Sequence, residues 1–80
     1  MDTRTAVANR LIALCSQRGW TINKLAMVSA VSPSTLKSIL YGKSKNPGIV
    51  TLKMLCDGLE ISLAEFFSSE EFADLEQEIQ

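Results

Sequence analysis

The chain has 80 residues, 46% of them hydrophobic, which fits one domain with its own core and excludes disorder over most of its length. No apolar run reaches membrane-spanning length and the first residues lack the apolar stretch of a signal peptide, so we expect a cytoplasmic protein. The formal net charge of −1 hides an asymmetry, because all eight Lys and Arg lie between residues 3 and 56 while eight of the nine acids follow them.

Helix-capping residues and apolar spacing predict an all-α chain. Helix 1 is predicted over about residues 5–18, with Gly19 as its end. Thr21 is a candidate N-cap for helix 2, and Ser32 is one for helix 3. Pro33 then takes the first position of helix 3, where its missing N–H costs nothing. The second and third helices are therefore joined by a very short turn.

Three further helix starts follow in the second half of the chain. Pro47-Gly48 opens helix 4, and Ser62-Leu63-Ala64-Glu65 has the pattern of a capping box for helix 5. Ser68-Ser69-Glu70-Glu71 is a second such box and predicts a short acidic C-terminal helix. Four hydrophobic pairs at the spacing of a staple support the starts of helices 2, 3 and 5 and of the C-terminal helix: Trp20 with Leu25, Val31 with Leu36, Ile61 with Phe66, and Phe67 with Phe72.

Helices 2 and 3 are joined by residues 30–32 alone, too few for antiparallel packing. They must cross at a steep angle, which is the helix-turn-helix arrangement. One face of helix 3 then stays free. A helix of this width fits the major groove of duplex DNA, where small polar and basic groups can bond base edges; the alternative is an ordinary solvent-exposed face. The residues of this face are Pro33, Ser34, Thr35, Lys37, Ser38 and Tyr41.

Residues 3–56 contain no Asp or Glu, although protein surfaces usually mix both signs. A partner with a regular array of negative charge, such as a nucleic acid backbone, explains this asymmetry; a solvated basic face without a partner is the alternative. Candidate phosphate contacts flank helix 3. The N–H groups that open helix 2 attract anions, and the loop after helix 3 adds two cations. These candidates are Thr21, Ile22, Lys24, Tyr41, Lys43, Lys45 and Asn46.

Several short motifs share their spacing with one known family. They are Gly19-Trp20-Thr21, Leu25-Ala26, Val31 to Leu36, Gly42-Lys43, Asn46-Pro47, Thr51-Leu52 and Leu59 to Phe67. With them the sequence resembles the Cro/C1-type (lambda-repressor-like, XRE) helix-turn-helix family, especially its short bacterial members, over about residues 10–67. The resemblance implies a five-helix DNA-binding domain over residues 1–67, followed by an acidic helix or tail over residues 68–80. It also implies sequence-specific binding and, often, a dimer on a palindromic operator.

The resemblance assigns roles to part of the candidate surface. It places base reading at Pro33, Ser34, Thr35 and Ser38, with Lys37 nearby, and phosphate contacts at Ile22, Lys43, Lys45 and Asn46. Two residues depart from the family pattern. Ile22 stands where relatives often have Gln, so its backbone N–H is what remains for a phosphate. Pro33 replaces a Gln that often reads a base, so direct readout is expected to be poorer there.

Other departures concern stability. Ala30 and Glu60 stand where relatives usually have Gly, and either residue in the left-handed conformation would store about 1 kcal/mol of strain. Many relatives pair an Arg in helix 1 with a Glu near the end of helix 3, where this chain has Cys15 and Leu40. Replacing one member of such a buried ion pair leaves the other charge without a partner and lowers stability. Replacing both by apolar residues can leave stability unchanged. We therefore expect Cys15 and Leu40 to touch.

Three roles are open for the acidic tail. Its apolar residues Phe72, Leu75 and Ile79 have helical spacing, and the tail could pack on its own domain or be partly disordered. They could instead form a homodimer interface, because so short a stripe cannot stabilise a lone helix. As a third possibility, the acids fold back on a basic face and compete with DNA.

The leading hypothesis is a transcriptional regulator, a repressor that inserts helix 3 into the major groove of double-stranded DNA. The alternative is a protein-interaction module, such as the antitoxin half of a toxin–antitoxin pair. An enzyme is not expected, because the chain has no His and no Gly-rich phosphate loop. Cys15 and Cys56 lie on apolar stripes and are expected to be reduced core residues. No metal, cofactor or small-molecule ligand is predicted.

Overall fold

The computed structural model describes residues 1–42 and 46–79, and in this part of the chain all regular structure is helical. Within these ranges five α-helices follow one another: α1 Thr3–Arg18, α2 Ile22–Ser29, α3 Pro33–Leu40, α4 Ile49–Leu59 and α5 Leu63–Phe66. A 3-10 helix, Glu70–Ala73, comes after them. The predicted all-α class is confirmed. No helix within the described ranges is long and apolar enough to cross a lipid bilayer.

Local capping determines where the helices begin. The three predicted N-caps of α2, α3 and α5 each accept a hydrogen bond from the backbone N–H three residues further on. α1 begins two residues earlier than predicted because Asp2 is its N-cap, with Oδ1 accepting the Thr5 N–H at 2.9 Å. Hydrogen bonds from Thr5 hold the pKa of Asp2 below its usual value. The sequence contained this signal, since Asp is a favoured N-cap residue.

One hydrophobic core joins the helices, and α1 packs against both α2 and α3. Cys15 and Cys56 belong to this core as free thiols, and burial raises the pKa of both. The prediction of buried core cysteines is confirmed. The largest fully buried side chains are Leu11, Leu25, Leu36, Ile39, Leu55, Cys56 and Phe66.

α2 and α4 approach each other closely at Ser29 and Gly58. A Cβ added to Gly58 would lie 2.1 Å from Ser29 Oγ and 3.1 Å from Ser29 Cα, so a side chain fits there only if the helices move apart. Ser29 Oγ is buried and has no hydrogen-bond partner within the described ranges. The end of α2 therefore packs directly against α4, beside the turn that leads to α3.

Two non-glycine residues end helices in the left-handed conformation. Ala30 follows α2 with φ 56°, and Glu60 follows α4 with φ 59°. The N–H of each residue bonds back to carbonyl groups of its own helix, as glycine does at such ends. Because a Cβ is strained in this conformation, each position stores about 1 kcal/mol.

Ala30→Gly and Glu60→Gly are each expected to raise the free energy of unfolding by about 1 kcal/mol, because glycine adopts this conformation without strain. Urea denaturation followed by circular dichroism measures the change. Gly19 supplies the reverse control, since its φ is 66° and an added Cβ would meet open space. Gly19→Ala should therefore lose a similar amount through backbone strain alone. Equal stability of the native chain and all three variants would contradict this account.

The predicted short C-terminal helix is present as the 3-10 helix. Its Phe72 meets Phe67 edge-on, with 4.9 Å between ring centroids, which confirms that staple pair. The 3-10 helix ends at Ala73, and residues 74–79 have no regular structure. The expectation of a helical apolar stripe is wrong beyond Phe72, since Leu75 and Ile79 do not extend it.

The course of the tail explains why the helix stops. Residues 74–79 run back to the beginning of α1, where Glu78 Oε2 accepts the Thr3 N–H at 3.1 Å and the Glu76 N–H donates to the Met1 carbonyl at 3.2 Å. The Glu78 carboxylate meets a free N–H at the positive end of α1. A stripe of this length has no comparable stabilisation as a lone helix. The tail therefore packs on its own domain.

Candidate nucleic-acid interface

The turn between α2 and α3 directs a polar surface outward. The Val31 N–H donates to the Ala26 carbonyl at 3.1 Å, and the Val31 side chain is buried. Ser32 then caps α3, which buries Leu36 and Ile39 in the core. The opposite side of α3 consequently faces away from the domain.

This outward side is the face that the sequence predicted. Tyr41, just after α3, is 67% exposed, and Ser38 is half-buried. The remaining members of the face are all exposed: Pro33, Ser34, Thr35 and Lys37. The surface is open to a partner.

Hydroxyl groups at the start of α3 form a small network. Ser32 Oγ accepts the Thr35 N–H at 3.2 Å and donates to Thr35 Oγ1 at 2.8 Å. Ser34 Oγ lies 3.4 Å from Ser32 Oγ. Because Thr35 Oγ1 accepts within this network, its own O–H is left to donate outward. An oriented donor of this kind suits acceptors on base edges or phosphates.

The start of α2 offers backbone donors. Thr21 caps the helix through the Lys24 N–H, so the N–H groups of Ile22 and Asn23 have no partner inside the helix. Ile22 is half-buried against the core, which explains an apolar residue at this position. Its N–H, and not its side chain, is what a phosphate could bind. Lys24 is exposed, with Nζ 5.8 Å from the Trp20 ring centroid.

The other flank of α3 is described in part. Asn46 is exposed, and Gly48 begins α4 without a side-chain cap, so the first N–H groups of α4 have no side-chain partner among residues 1–42 and 46–79. Lys43 and Lys45, two of the predicted phosphate contacts, lie outside the described residues. Their role stays a prediction.

Three arginines of α1 bond to the ends of other helices. Arg10 Nε donates to the Phe66 carbonyl at the end of α5 at 2.9 Å, and Arg18 donates to the Leu59 carbonyl at the end of α4 at 3.0 Å. Arg4 bonds in the same way at the end of α3. Carbonyl groups at a helix C-terminus lack partners within the helix and attract cations. These arginines therefore hold the helices together around α1.

This arrangement gives the charge asymmetry a second cause. Lys53 pairs with Asp57 on α4. Within residues 1–42 and 46–79, the cations with neither a carbonyl nor a carboxylate partner are Lys24 and Lys37, and both are exposed. Fewer cationic side chains are thus free to bond a partner than the count suggests. Sequence reasoning missed the arginine bonds because their partners lie 35 to 56 residues away along the chain.

A short turn between α2 and α3 and an open polar face on α3 define a helix-turn-helix DNA-binding domain. The family model of the Cro/C1-type HTH DNA-binding domain matches residues 10–71, and the chain belongs to this family. The resemblance seen in the sequence motifs is thereby confirmed. The family consists of DNA-binding domains and not of enzymes.

Individual relatives agree with this assignment. The chain is 42% identical over 62 residues to the HTH-type transcriptional regulator SlrR of Bacillus subtilis (strain 168), a match that covers 76% of this chain and 41% of SlrR. The crystal structure of the prophage Lp1 protein 11 superimposes with a TM-score of 0.81 and 32% identity, over 94% of this chain and 100% of the other. The crystal structure of an HTH_3 family transcriptional regulator from Vibrio cholerae superimposes with a TM-score of 0.76 and 34% identity. This match covers 84% of this chain and 37% of the other. The chain therefore spans about two fifths of the length of SlrR.

Proposed function

We propose that the chain is a sequence-specific transcriptional regulator that represses by occupying its operator, with α3 in the major groove of double-stranded DNA. The exposed face of α3 carries this proposal, because it holds donors and no acidic residue. The hydroxyl groups of Ser34, Thr35 and Ser38 and the ammonium group of Lys37 suit acceptors on base edges. The Pro33 ring offers an apolar contact. Membership of a family of DNA-binding domains supports the proposal.

Phosphate contacts on both sides of α3 would fix its register on the duplex, while the base contacts specify the sequence. One flank supplies the N–H groups that open α2 together with the Lys24 ammonium group. The other supplies polar groups after α3 and the uncapped start of α4. The proposed phosphate contacts are Thr21, Ile22, Lys24, Tyr41, Lys43, Lys45 and Asn46.

Selection of bound duplexes from a random DNA pool tests the proposal, and one sequence should be enriched. If Lys24, Lys43 and Lys45 each neutralise a phosphate, the logarithm of affinity should fall with the logarithm of salt concentration with a slope of about −3. A scrambled duplex of the same length is the control and should bind roughly 100-fold more weakly. Failure to enrich any sequence, or an affinity that hardly changes with salt, would contradict the proposal.

Repression has its own test. The enriched sequence is placed over the promoter of a reporter gene, and expression is compared with and without the chain. Steric occupancy predicts a fall in expression that disappears when the sequence is scrambled. A rise in expression would contradict repression and indicate activation, without contradicting DNA binding.

Homodimerisation through Phe72, Leu75 and Ile79 stays a prediction. The apolar surface left for a dimer interface is small. Phe72 already packs against Phe66 and Phe67, and of the three residues only Ile79 is largely exposed, at 78%. Light scattering of the free chain and of its complex with the enriched duplex measures the stoichiometry. A cytoplasmic location, where bacterial DNA lies, likewise stays a prediction.

A further inference from the structure

We propose that Arg4 is a positioning residue for α3: its guanidinium group fixes the C-terminal end of α3 on α1, and so sets the angle at which the base-reading side chains are presented. The inference rests on the proposed function, since it assigns a residue to the accuracy of DNA reading. Arg4 itself is not on the exposed face of α3. The family model begins at Arg10, so Arg4 lies outside the matched range.

The guanidinium group of Arg4 connects α1 to the end of α3. Nη1 donates to the Ile39 carbonyl at 3.1 Å, and Nη2 donates to Thr5 Oγ1 at 3.2 Å. The guanidinium group also lies beside Gly42, where a Cβ would be 3.8 Å from Nη2. The side chain is half-buried, which strengthens a bond between a cation and the negative end of a helix.

The two ends of α3 are held by different contacts. Its start is held by the Ser32 cap and by the short turn from α2. Its end buries Ile39 and Leu40 and continues through Tyr41 into Gly42, which has φ 90°. The Ile39 carbonyl is one of the terminal carbonyls that an α-helix leaves without an internal partner. Arg4 meets this carbonyl from another helix.

Small changes in the angle of α3 matter at its far end. A helix of eight residues is about 12 Å long, so a tilt of about 10° about its capped start moves the C-terminal end by roughly 2 Å, and Lys37 and Ser38 by roughly 1 Å. Hydrogen bonds to base edges tolerate only a few tenths of an ångström. Loss of the Arg4 bond should therefore weaken reading of the correct sequence more than attraction to phosphates.

Arg10 provides a matched control on the same helix. It makes equivalent bonds, from Nε to the Phe66 carbonyl at 2.9 Å and from Nη2 to the Glu65 carbonyl at 3.0 Å. These carbonyls belong to the end of α5, which carries none of the proposed DNA contacts. Arg4→Met and Arg10→Met remove the same charge and the same kind of bond, but at different helix ends.

Hydrogen exchange tests the structural half of the inference without DNA. In Arg4→Met, the backbone N–H groups of Ile39, Leu40 and Tyr41 should exchange about tenfold faster than in the native chain, because the end of α3 opens more often. In Arg10→Met these groups should keep their native rates. Unchanged exchange at the end of α3 in Arg4→Met would overturn the inference whatever the chain binds.

DNA binding tests the functional half, at a temperature where circular dichroism shows each variant fully folded. Arg4→Met should bind the enriched duplex about tenfold more weakly, the scrambled duplex within about twofold of the native chain, and with an unchanged salt slope. Arg4→Lys, which keeps the positive charge and an ammonium donor group, should recover most of the loss. Arg10→Met should bind both duplexes like the native chain.

Two outcomes would overturn the positioning role. Equal losses on both duplexes, with a salt slope weaker by about 0.9, would mean that Arg4 contacts phosphate directly. Native affinity of folded Arg4→Met for the enriched duplex would mean that Arg4 only stabilises the fold. If the native chain enriches no sequence, the proposed function fails, and the exchange measurement still decides whether Arg4 holds the end of α3.

Discussion

Leu40→Glu is expected to lower the free energy of unfolding by about 3–5 kcal/mol at pH 7, a large part of the stability of a small domain. Leu40 is 6% exposed at the end of α3 and belongs to the same buried cluster as Cys15, which is 3% exposed. A carboxylate in this place would be a lone buried charge at the negative end of a helix. Thermal melting followed by circular dichroism measures the loss. A variant that melts at the native temperature would contradict the expectation.

Two further variants separate the charge from the change of shape. Leu40→Met keeps an apolar side chain of similar volume and should lose less than about 1.5 kcal/mol. Cys15→Arg combined with Leu40→Glu restores the pair found in many relatives and should recover most of the loss, because the two charges then neutralise each other. If the changes in the free energy of unfolding caused by the two single substitutions simply add in the double variant, the predicted contact between Cys15 and Leu40 is wrong. At pH near 4, protonation should reduce the loss of Leu40→Glu, since a buried carboxyl group favours its neutral form.

Lys37→Glu is expected to weaken binding of the enriched duplex about 100-fold while changing stability by less than about 0.5 kcal/mol. Lys37 is exposed on α3 and has no carbonyl or carboxylate partner within the described ranges. The substitution removes a donor from the proposed groove-facing side and places a negative charge against the phosphates. Titration of a labelled duplex at fixed salt measures the affinity, and urea denaturation measures the stability.

Lys53→Glu is the matched control, because it changes the net charge by the same amount on the exposed side of α4. It replaces the ion pair with Asp57 by a repulsion between exposed carboxylates, which should cost only a few tenths of a kcal/mol. Its affinity for the duplex should stay within about threefold of the native value. This small loss comes from weaker long-range electrostatic steering of the DNA. If Lys37→Glu and Lys53→Glu lose affinity equally, overall charge and not the face of α3 governs binding.

Much of the fold followed from the sequence because its signals are local. Thr21, Ser32 and Ser62 cap helices where they were predicted, since a hydroxyl group bonds the N–H three residues away in the same chain segment. The exposed face of α3 was predicted in the same way, from apolar spacing within eight residues. The family resemblance added which of these exposed residues would meet bases and which would meet phosphates, and both assignments stay predictions.

Other features depended on atoms that only the tertiary structure brings together. The sequence determined the helices, their order and the polar face of α3, because caps and apolar periodicity act over one or two turns. It did not reveal that Arg4 reaches the Ile39 carbonyl or that Glu78 reaches the Thr3 N–H, since these partners lie 35 and 75 residues apart. Packing decided which cations bond to carbonyl or carboxylate groups of the domain itself, and where the acidic tail runs. Helix ends leave carbonyl and N–H groups unpaired, and charged side chains bind whichever of these ends the fold places within hydrogen-bond distance.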